Sequence, residues 1–95
     1  MKARVQLSDQ VLAYIGKLAP QPRKRLRDAL HRLAEGRADV KALEGRLSGY
    51  HRLRAGSYRV VFHYRIDHGH PIADCIFVAE RSLVYQLFEQ SLTQT

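Results

Sequence analysis

A short segment, residues 49–64, carries three arginines and two histidines at positions that could bind phosphate and move protons. If the segment forms two strands, side chains two residues apart face the same side of each strand. Arg52 and Arg54 then share a face of the first strand. Arg59 and His63 share a face of the second. A guanidinium matches phosphate geometry, and histidine exchanges a proton near neutral pH, so the pattern indicates a phosphate-binding face.

The other side of the second strand is apolar. Its inward set consists of Tyr58, Val60, Phe62 and Tyr64. Because such a set predicts the hydrophobic core, the basic residues must point away from it. A sheet face made soluble by charge explains the same alternation equally well. The spacing therefore leaves both explanations open.

Size and composition exclude several classes of protein. Ninety-five residues, 45% of them hydrophobic, predict one globular domain over residues 1–95. No apolar run approaches the roughly 20 residues that span a bilayer, and the N-terminus lacks the apolar segment of a signal peptide. Cys75 is the single cysteine, so an internal disulfide is excluded. We therefore expect a cytoplasmic protein with no membrane partner.

The charge balance is strongly basic. Sixteen Lys and Arg residues against nine Asp and Glu residues give a formal net charge of +7, and twelve of the sixteen are Arg. Such a chain favours polyanions or acidic proteins as partners. A basic stripe along residues 23–32 fits a solvated helix face as well as a nucleic-acid contact.

Hydrophobic spacing predicts four strands and three helices. In chain order these are a strand at 3–7, helices at 8–18 and 22–35, strands at 49–55, 58–66 and 73–78, and a C-terminal helix capped by Ser82. Ser8 should cap the first helix, Gly36 should end the second, and residues 37–48 should form a connection. The order predicts an α+β fold, with an antiparallel sheet, the N-terminal helical hairpin on one face and a C-terminal helix. The expected core includes Val60, Phe62, Ile76 and Val78.

The histidines do not form a standard metal site. His68 and His70 flank a glycine in a predicted turn, but zinc needs three or four ligands with suitable spacing. Cys75 lies in an apolar strand and is expected to be an inert core thiol. We expect neither a metal nor another cofactor.

Four motifs resemble the RelE/ParE family of toxins from bacterial type II toxin–antitoxin pairs. They are Leu43-Glu-Gly45, Tyr50-His-Arg-Leu-Arg54, Gly56-Ser-Tyr-Arg-Val-Val-Phe62 and Glu80-Arg-Ser-Leu-Val-Tyr85. The resemblance covers almost the whole chain and agrees with the predicted element order. It implies a RelE/ParE-like fold and a cognate antitoxin protein as partner.

The branches of this family differ in their targets. RelE-like members enter the ribosomal A site and cut mRNA, whereas ParE-like members inhibit DNA gyrase without cutting RNA. The resemblance implies a ribosome-dependent, metal-independent endoribonuclease that inhibits translation. A ParE-like gyrase inhibitor, or an inactive homologue that only binds its antitoxin, is the alternative.

The family's site residues can be matched by position. Arg59 matches the strand arginine, and Tyr85 matches the C-terminal tyrosine. Arg52 and Arg54 fall where RelE-like members carry Lys and Arg, and Arg81 belongs to the Glu-Arg-Ser motif. The resemblance implies that Arg59 and Arg54 stabilise charge on the phosphate and that Tyr85 orients the nucleotide. Arg52 and Arg81 are then expected to bind RNA.

Two positions depart from the RelE-like pattern. Tyr50 stands where a second lysine is found in RelE-like members, and Ala79 replaces a basic residue. Because arginine stays protonated, it cannot easily act as a general base. His63 or His51 is therefore expected to accept the proton of the 2′-hydroxyl, with His51 also contacting RNA. No lysine is expected on this face.

Overall fold

The strands form one five-stranded sheet in the computed structural model, which describes residues 2–93. In chain order the elements are β1 (Arg4–Leu7), α1 (Asp9–Lys17), α2 (Pro20–Ala34), β2 (Val40–Ala42), a 3₁₀ helix (Gly45–Leu47), β3 (His51–Ala55), β4 (Tyr58–Asp67), β5 (His70–Glu80) and α3 (Val84–Leu92). Across the sheet the order is β1-β5-β4-β3-β2. β1 runs parallel to β5, and the other neighbouring pairs are antiparallel. The predicted α+β class is confirmed, with one parallel edge strand.

The helical hairpin begins and ends at the residues that its sequence favours. Ser8 caps α1, where its hydroxyl accepts a hydrogen bond from the Val11 N–H at 3.3 Å. Pro20 occupies the first position of α2, where a missing N–H costs nothing. Gly36 ends α2 with a φ of 75°, and the carbonyls of the last turn accept from Gly36 and Arg37 in a Schellman arrangement. Within residues 2–93, no helix is long and apolar enough to cross a membrane.

The hairpin packs on one face of the sheet, which we call the hairpin face. The buried residues there are Val11, Leu26, Ala29, Leu30, Leu33, Leu53, Ala55, Val60, Phe62, Ala73, Cys75 and Val78. Three of the four predicted core residues are thus confirmed. Burial raises the pKa of the Cys75 thiol to about 12, so the thiol stays protonated and unreactive at neutral pH.

The other face, which we call the α3 face, is not uniformly exposed. α3 and the 3₁₀ helix cover its middle and bury a second cluster of Leu47, Val61, Ala79, Val84 and Phe88. Alternation along β4 placed Val61 on the outward, charged face, yet its exposure is 0%. A second core therefore divides the face that carries the predicted basic residues.

A β-bulge in β5 sets which of its side chains meet each core. Val61 pairs with Phe77 and Phe62 pairs with Cys75, so Ile76 is an extra residue between them. The bulge reverses the alternation, and Ile76 packs beside the α3-face cluster and not under the hairpin. The predicted position of Ile76 is wrong for this reason.

Two local predictions also fail. Residues 37–48, expected to be a connection, contain β2 and the 3₁₀ helix. β2 has three residues, too few for a periodic pattern, and forms by pairing with β3. Ser82 does not cap α3, which begins at Val84 after Leu83 without a side-chain cap.

A glutamine side chain extends the sheet where β1 ends. β1 pairs with β5 over Ile72–Cys75, which leaves the later part of β5 without a neighbouring strand on that side. The Gln10 amide donates to the Val78 carbonyl and accepts from the Val78 N–H, both at 2.9 Å. Gln10 therefore satisfies both backbone groups of a residue whose side chain is fully buried.

We expect Gln10→Ala to lower the free energy of unfolding by about 2–3 kcal/mol, because two part-buried backbone groups lose their partners. Urea denaturation followed by circular dichroism measures the change. Gln86→Ala, at an exposed position of α3, is the matched control and should change stability by less than about 0.5 kcal/mol. Equal stability of the two variants would contradict the role given to Gln10.

Candidate phosphate-binding site

Three arginines of β3 and β4 lie together on the α3 face, and we call Arg52, Arg54 and Arg59 the arginine surface. Arg54 and Arg59 are direct cross-strand partners, and Arg52 lies opposite Val61. Like charges placed directly opposite in a sheet repel each other. The predicted grouping of these three residues on the side opposite the hairpin is thus observed.

Backbone and carboxylate contacts hold the arginine side chains in place. The Arg52 guanidinium donates to the Asp39 carboxylate at 3.0 Å and to its carbonyl at 3.2 Å. Arg54 approaches the same carboxylate at 4.0 Å. The hydrogen bond from Arg52 is the main cause that lowers the pKa of Asp39. Asp39 thereby offsets part of the repulsion from outside the sheet.

The tight β3–β4 turn orients Arg59. Gly56 has a φ of 62°, a conformation that glycine adopts without steric cost. The Arg59 guanidinium donates to the carbonyls of Gly56 and Tyr58, each at 2.8 Å. Burial, followed by the charges of Arg54 and Arg52, lowers the pKa of Arg59. A bound anion would therefore relieve repulsion at this position.

A groove of about 340 Å³ opens beside Arg52. Its lining residues are Lys41, Ala42, Leu43, Glu44, Arg52 and Tyr85. Lys41 lies directly opposite Arg52 in the β2–β3 register, so both point to the α3 face. The expectation that no lysine lies on this face is therefore wrong, because the sequence did not predict β2. The one available signal was the polar residue between two apolar ones at 40–42.

Two residues from the C-terminal part complete this region. Tyr85, on the first turn of α3, is half-buried and lines the groove. Arg81 is exposed, and its backbone N–H donates a hydrogen bond of 2.8 Å to the Ser57 carbonyl in the β3–β4 turn. Its charge contributes to the lowered pKa of Arg59, which places it near the arginine surface. The region therefore combines four arginines, a lysine and a tyrosine.

Comparison with known proteins assigns the fold. No protein-family model matches the sequence, and no curated protein matches it. Solved structures do match. The RelBE2 toxin–antitoxin complex of Mycobacterium tuberculosis has a TM-score of 0.61 at 23% identity, covering 85% of this chain and 100% of that one. The chain has the RelE/ParE toxin fold.

Two further structures agree with this RelE/ParE fold. The RelE–RelB complex of Pyrococcus horikoshii matches with a TM-score of 0.57 at 27% identity, over 85% of this chain and 97% of that one. A YoeB/ParE toxin from Agrobacterium tumefaciens matches with a TM-score of 0.63 at 14% identity, over 82% and 98%. The superfamily resemblance inferred from the motifs is thus confirmed in structure.

Within this RelE/ParE fold, His63 lies apart from the arginine surface. It is four residues from Arg59 along β4, a separation of about 13 Å in an extended strand. Val61 lies between the two on the same face of β4 and belongs to the second core. His63 instead approaches Asp74, with Nε2 at 3.6 Å from the carboxylate. His63 therefore shares the face of Arg59 but not its immediate surroundings.

His51 lies on the opposite side of the sheet. Its ring stacks on Phe62 with a centroid distance of 5.4 Å, on the hairpin face. A residue there cannot meet a phosphate held by Arg59, so the expectation that His51 joins the site is corrected by its position. In the part of the chain that the structure describes, no group of three or more His, Cys, Asp or Glu side chains could hold a metal ion.

The repulsion within the arginine surface predicts stabilisation by anions. Inorganic phosphate at about ten times its dissociation constant should raise the free energy of unfolding by about 1.4 kcal/mol. Arg54→Gln should lose most of this gain, and Arg27→Gln, on the exposed face of α2, should keep it. Thermal denaturation at constant ionic strength measures the effect. A gain that is the same in all three proteins would place phosphate elsewhere.

Proposed function

We propose that this chain is the toxin of a type II toxin–antitoxin module and that it cleaves mRNA on the ribosome without a metal ion. The observation that carries the proposal is the arginine surface beside the groove of Lys41, Arg52 and Tyr85. Cationic groups and an aromatic ring are what a nucleotide with its phosphate requires. The RelE–RelB complexes with the same fold support the choice of this branch.

In the proposed reaction the ribose 2′-hydroxyl attacks the adjacent phosphorus, and the bond from phosphorus to the 5′-oxygen breaks. The products are a 2′,3′-cyclic phosphate and a 5′-hydroxyl, whose oxygen takes its proton from water. Arg59, held by two turn carbonyls, and Arg54 stabilise the negative charge that develops on the phosphoryl oxygens. Fixed orientation matters because the guanidinium then needs no reorganisation during the reaction. Tyr85 stacks on or orients the nucleotide, and Arg52 and Arg81 bind the backbone.

The proton of the 2′-hydroxyl needs an acceptor near these groups. Arginine cannot serve, and His63 lies beyond the second core. Lys41 lines the same groove as Arg52 and Tyr85, and the neutral amine of a lysine, unlike a guanidinium, can accept a proton. We therefore assign the base role to Lys41 in place of the histidines suggested by the sequence.

Arg59→Ala should lower cleavage of mRNA on programmed ribosomes by about two orders of magnitude, the usual effect of removing one transition-state donor. Lys41→Ala should lower it by about 10²-fold or more, and Lys41→Arg should not restore it, because arginine keeps the charge but cannot accept the proton. His63→Ala and Arg27→Ala should cleave like wild type.

The outcomes separate the alternatives. A normal rate for Lys41→Arg would limit Lys41 to phosphate binding, and a slow His63→Ala with an altered pH profile would return the base role to His63. If wild type does not cleave mRNA on ribosomes but blocks supercoiling by DNA gyrase, the protein is a gyrase inhibitor and not a nuclease. Urea denaturation of each variant establishes that the fold is intact.

A cognate antitoxin should neutralise the arginine surface. One similar structure is named as a toxin–antitoxin complex and another as a RelE–RelB complex, and a chain with a net charge of +7 favours an acidic or amphipathic segment as partner. Arg52→Glu with Arg54→Glu should weaken binding to the protein encoded beside this chain, by calorimetry, by at least about tenfold. Lys24→Glu with Arg27→Glu is the matched control. Equal loss in both double variants would place the antitoxin elsewhere.

A further inference from the structure

A second groove lies away from the candidate site. It has a volume of about 610 Å³ and lies where β1 begins beside the β4–β5 turn. Its lining residues are Lys2, Ala3, Arg4, Asp67, His68, His70 and Pro71. The β4–β5 turn is tight, with φ values of 50° at His68 and 78° at Gly69, and it sets an imidazole on each side of Gly69. The groove is therefore lined mainly by basic side chains.

The single carboxylate that lines this groove is already engaged. The Arg4 guanidinium reaches across β5 to Asp67 at 3.5 Å, and the His68 ring contacts the other carboxylate oxygen at 2.9 Å. Among residues 2–93, Lys2 and His70 have no carboxylate within 4.0 Å. The groove therefore presents positive charge and ring N–H donors that its own carboxylate does not neutralise.

The groove opens at the far end of the face that carries the arginine surface. Asp67 lies eight residues beyond Arg59 on β4, about 26 Å away in an extended strand. Arg65 lies between them on the same face, where it contacts Asp74 at 3.3 Å and the Gln6 side chain. Stacked nucleotides advance about 3.4 Å each, so a single strand needs at least about eight nucleotides to reach from one end to the other past α3.

We propose that this groove is a second phosphate-contact site, which holds the RNA backbone several nucleotides away from the arginine surface. Lys2 and Arg4 contact phosphate oxygens, and His68 and His70 donate hydrogen bonds to the same backbone. The choice of RNA as the polyanion rests on the proposed function, whereas the phosphate chemistry rests on the groove itself. The site adds affinity for long strands and takes no part in the bond cleavage.

Binding of two 2′-O-methyl RNA probes tests the proposal, since neither can be cleaved by its own 2′-hydroxyl. One has about 12 nucleotides and reaches both sites, and one has about 3 and reaches one site. Lys2→Ala with Arg4→Ala should lower the slope of log affinity against log salt by about 1.4 for the long probe, which is two contacts at about 0.7 each. Wild type should then lose about sevenfold more affinity than the variant between about 50 mM and 200 mM salt. Short-probe binding to the arginine surface should not change.

Two further variants test whether the loss of any two positive charges, or misfolding, explains the change in RNA binding. Lys24→Ala with Arg27→Ala removes the same two charge types from the exposed face of α2, and it should leave the slope unchanged. Asp67→Asn removes the carboxylate of the groove and should tighten binding of the long probe, a gain that misfolding cannot produce. Equal slopes in the two double variants, or unchanged binding by Asp67→Asn, would overturn the proposal. Cleavage of mRNA on ribosomes is measured separately. If wild type shows no cleavage but the salt slope for the long probe changes as expected, only the proposed function is refuted.

Discussion

Burial of β4 on both faces is the constraint on which the rest of the structure depends. Three consecutive residues, Val60, Val61 and Phe62, are each 0% exposed, although successive side chains in a strand point to opposite sides. The helical hairpin covers one side, so α3 must cover the other. An α+β sheet with a single packed face would leave Val61 in water. The C-terminal helix is therefore required by the sheet and is not an appendage to it.

This second core decides where charge can lie. Because α3 covers Val61 in the middle of its face, the arginine surface lies on one side of the second core. Arg52, Arg54 and Arg59 collect at one end with their repulsion only partly offset by Asp39. Repulsion of this kind lowers stability, and the polyanion proposed to bind there would offset it. The same helix places Tyr85 over the groove, so packing and ligand binding share one element.

The motifs that carried the family resemblance have separate physical roles. Gly56 allows the tight turn and its carbonyl accepts a hydrogen bond from Arg59, and Leu43 packs against the second core. The Glu80-Arg-Ser-Leu-Val-Tyr85 segment leads from β5 into α3 and brings Tyr85 to the groove. These motifs specify geometry at the ends of β3, β4 and β5. That explains why a fold can be recognised at 14–27% identity, while the identity of the target cannot be read from the fold.

Local sequence determined the helical hairpin, the two long strands and the grouping of the arginines, because each depends on alternation or on a cap within a few residues. Tertiary structure decided the rest. β2 exists through its pairing with β3, and this pairing brings Lys41 beside Arg52 from eleven positions away in the sequence. The bulge at Ile76 reverses the pattern of β5, and the buried Val61 of the second core lies between His63 and Arg59 on β4. Such features arise from contacts between residues distant in the chain, so the local hydrophobic periodicity does not predict them.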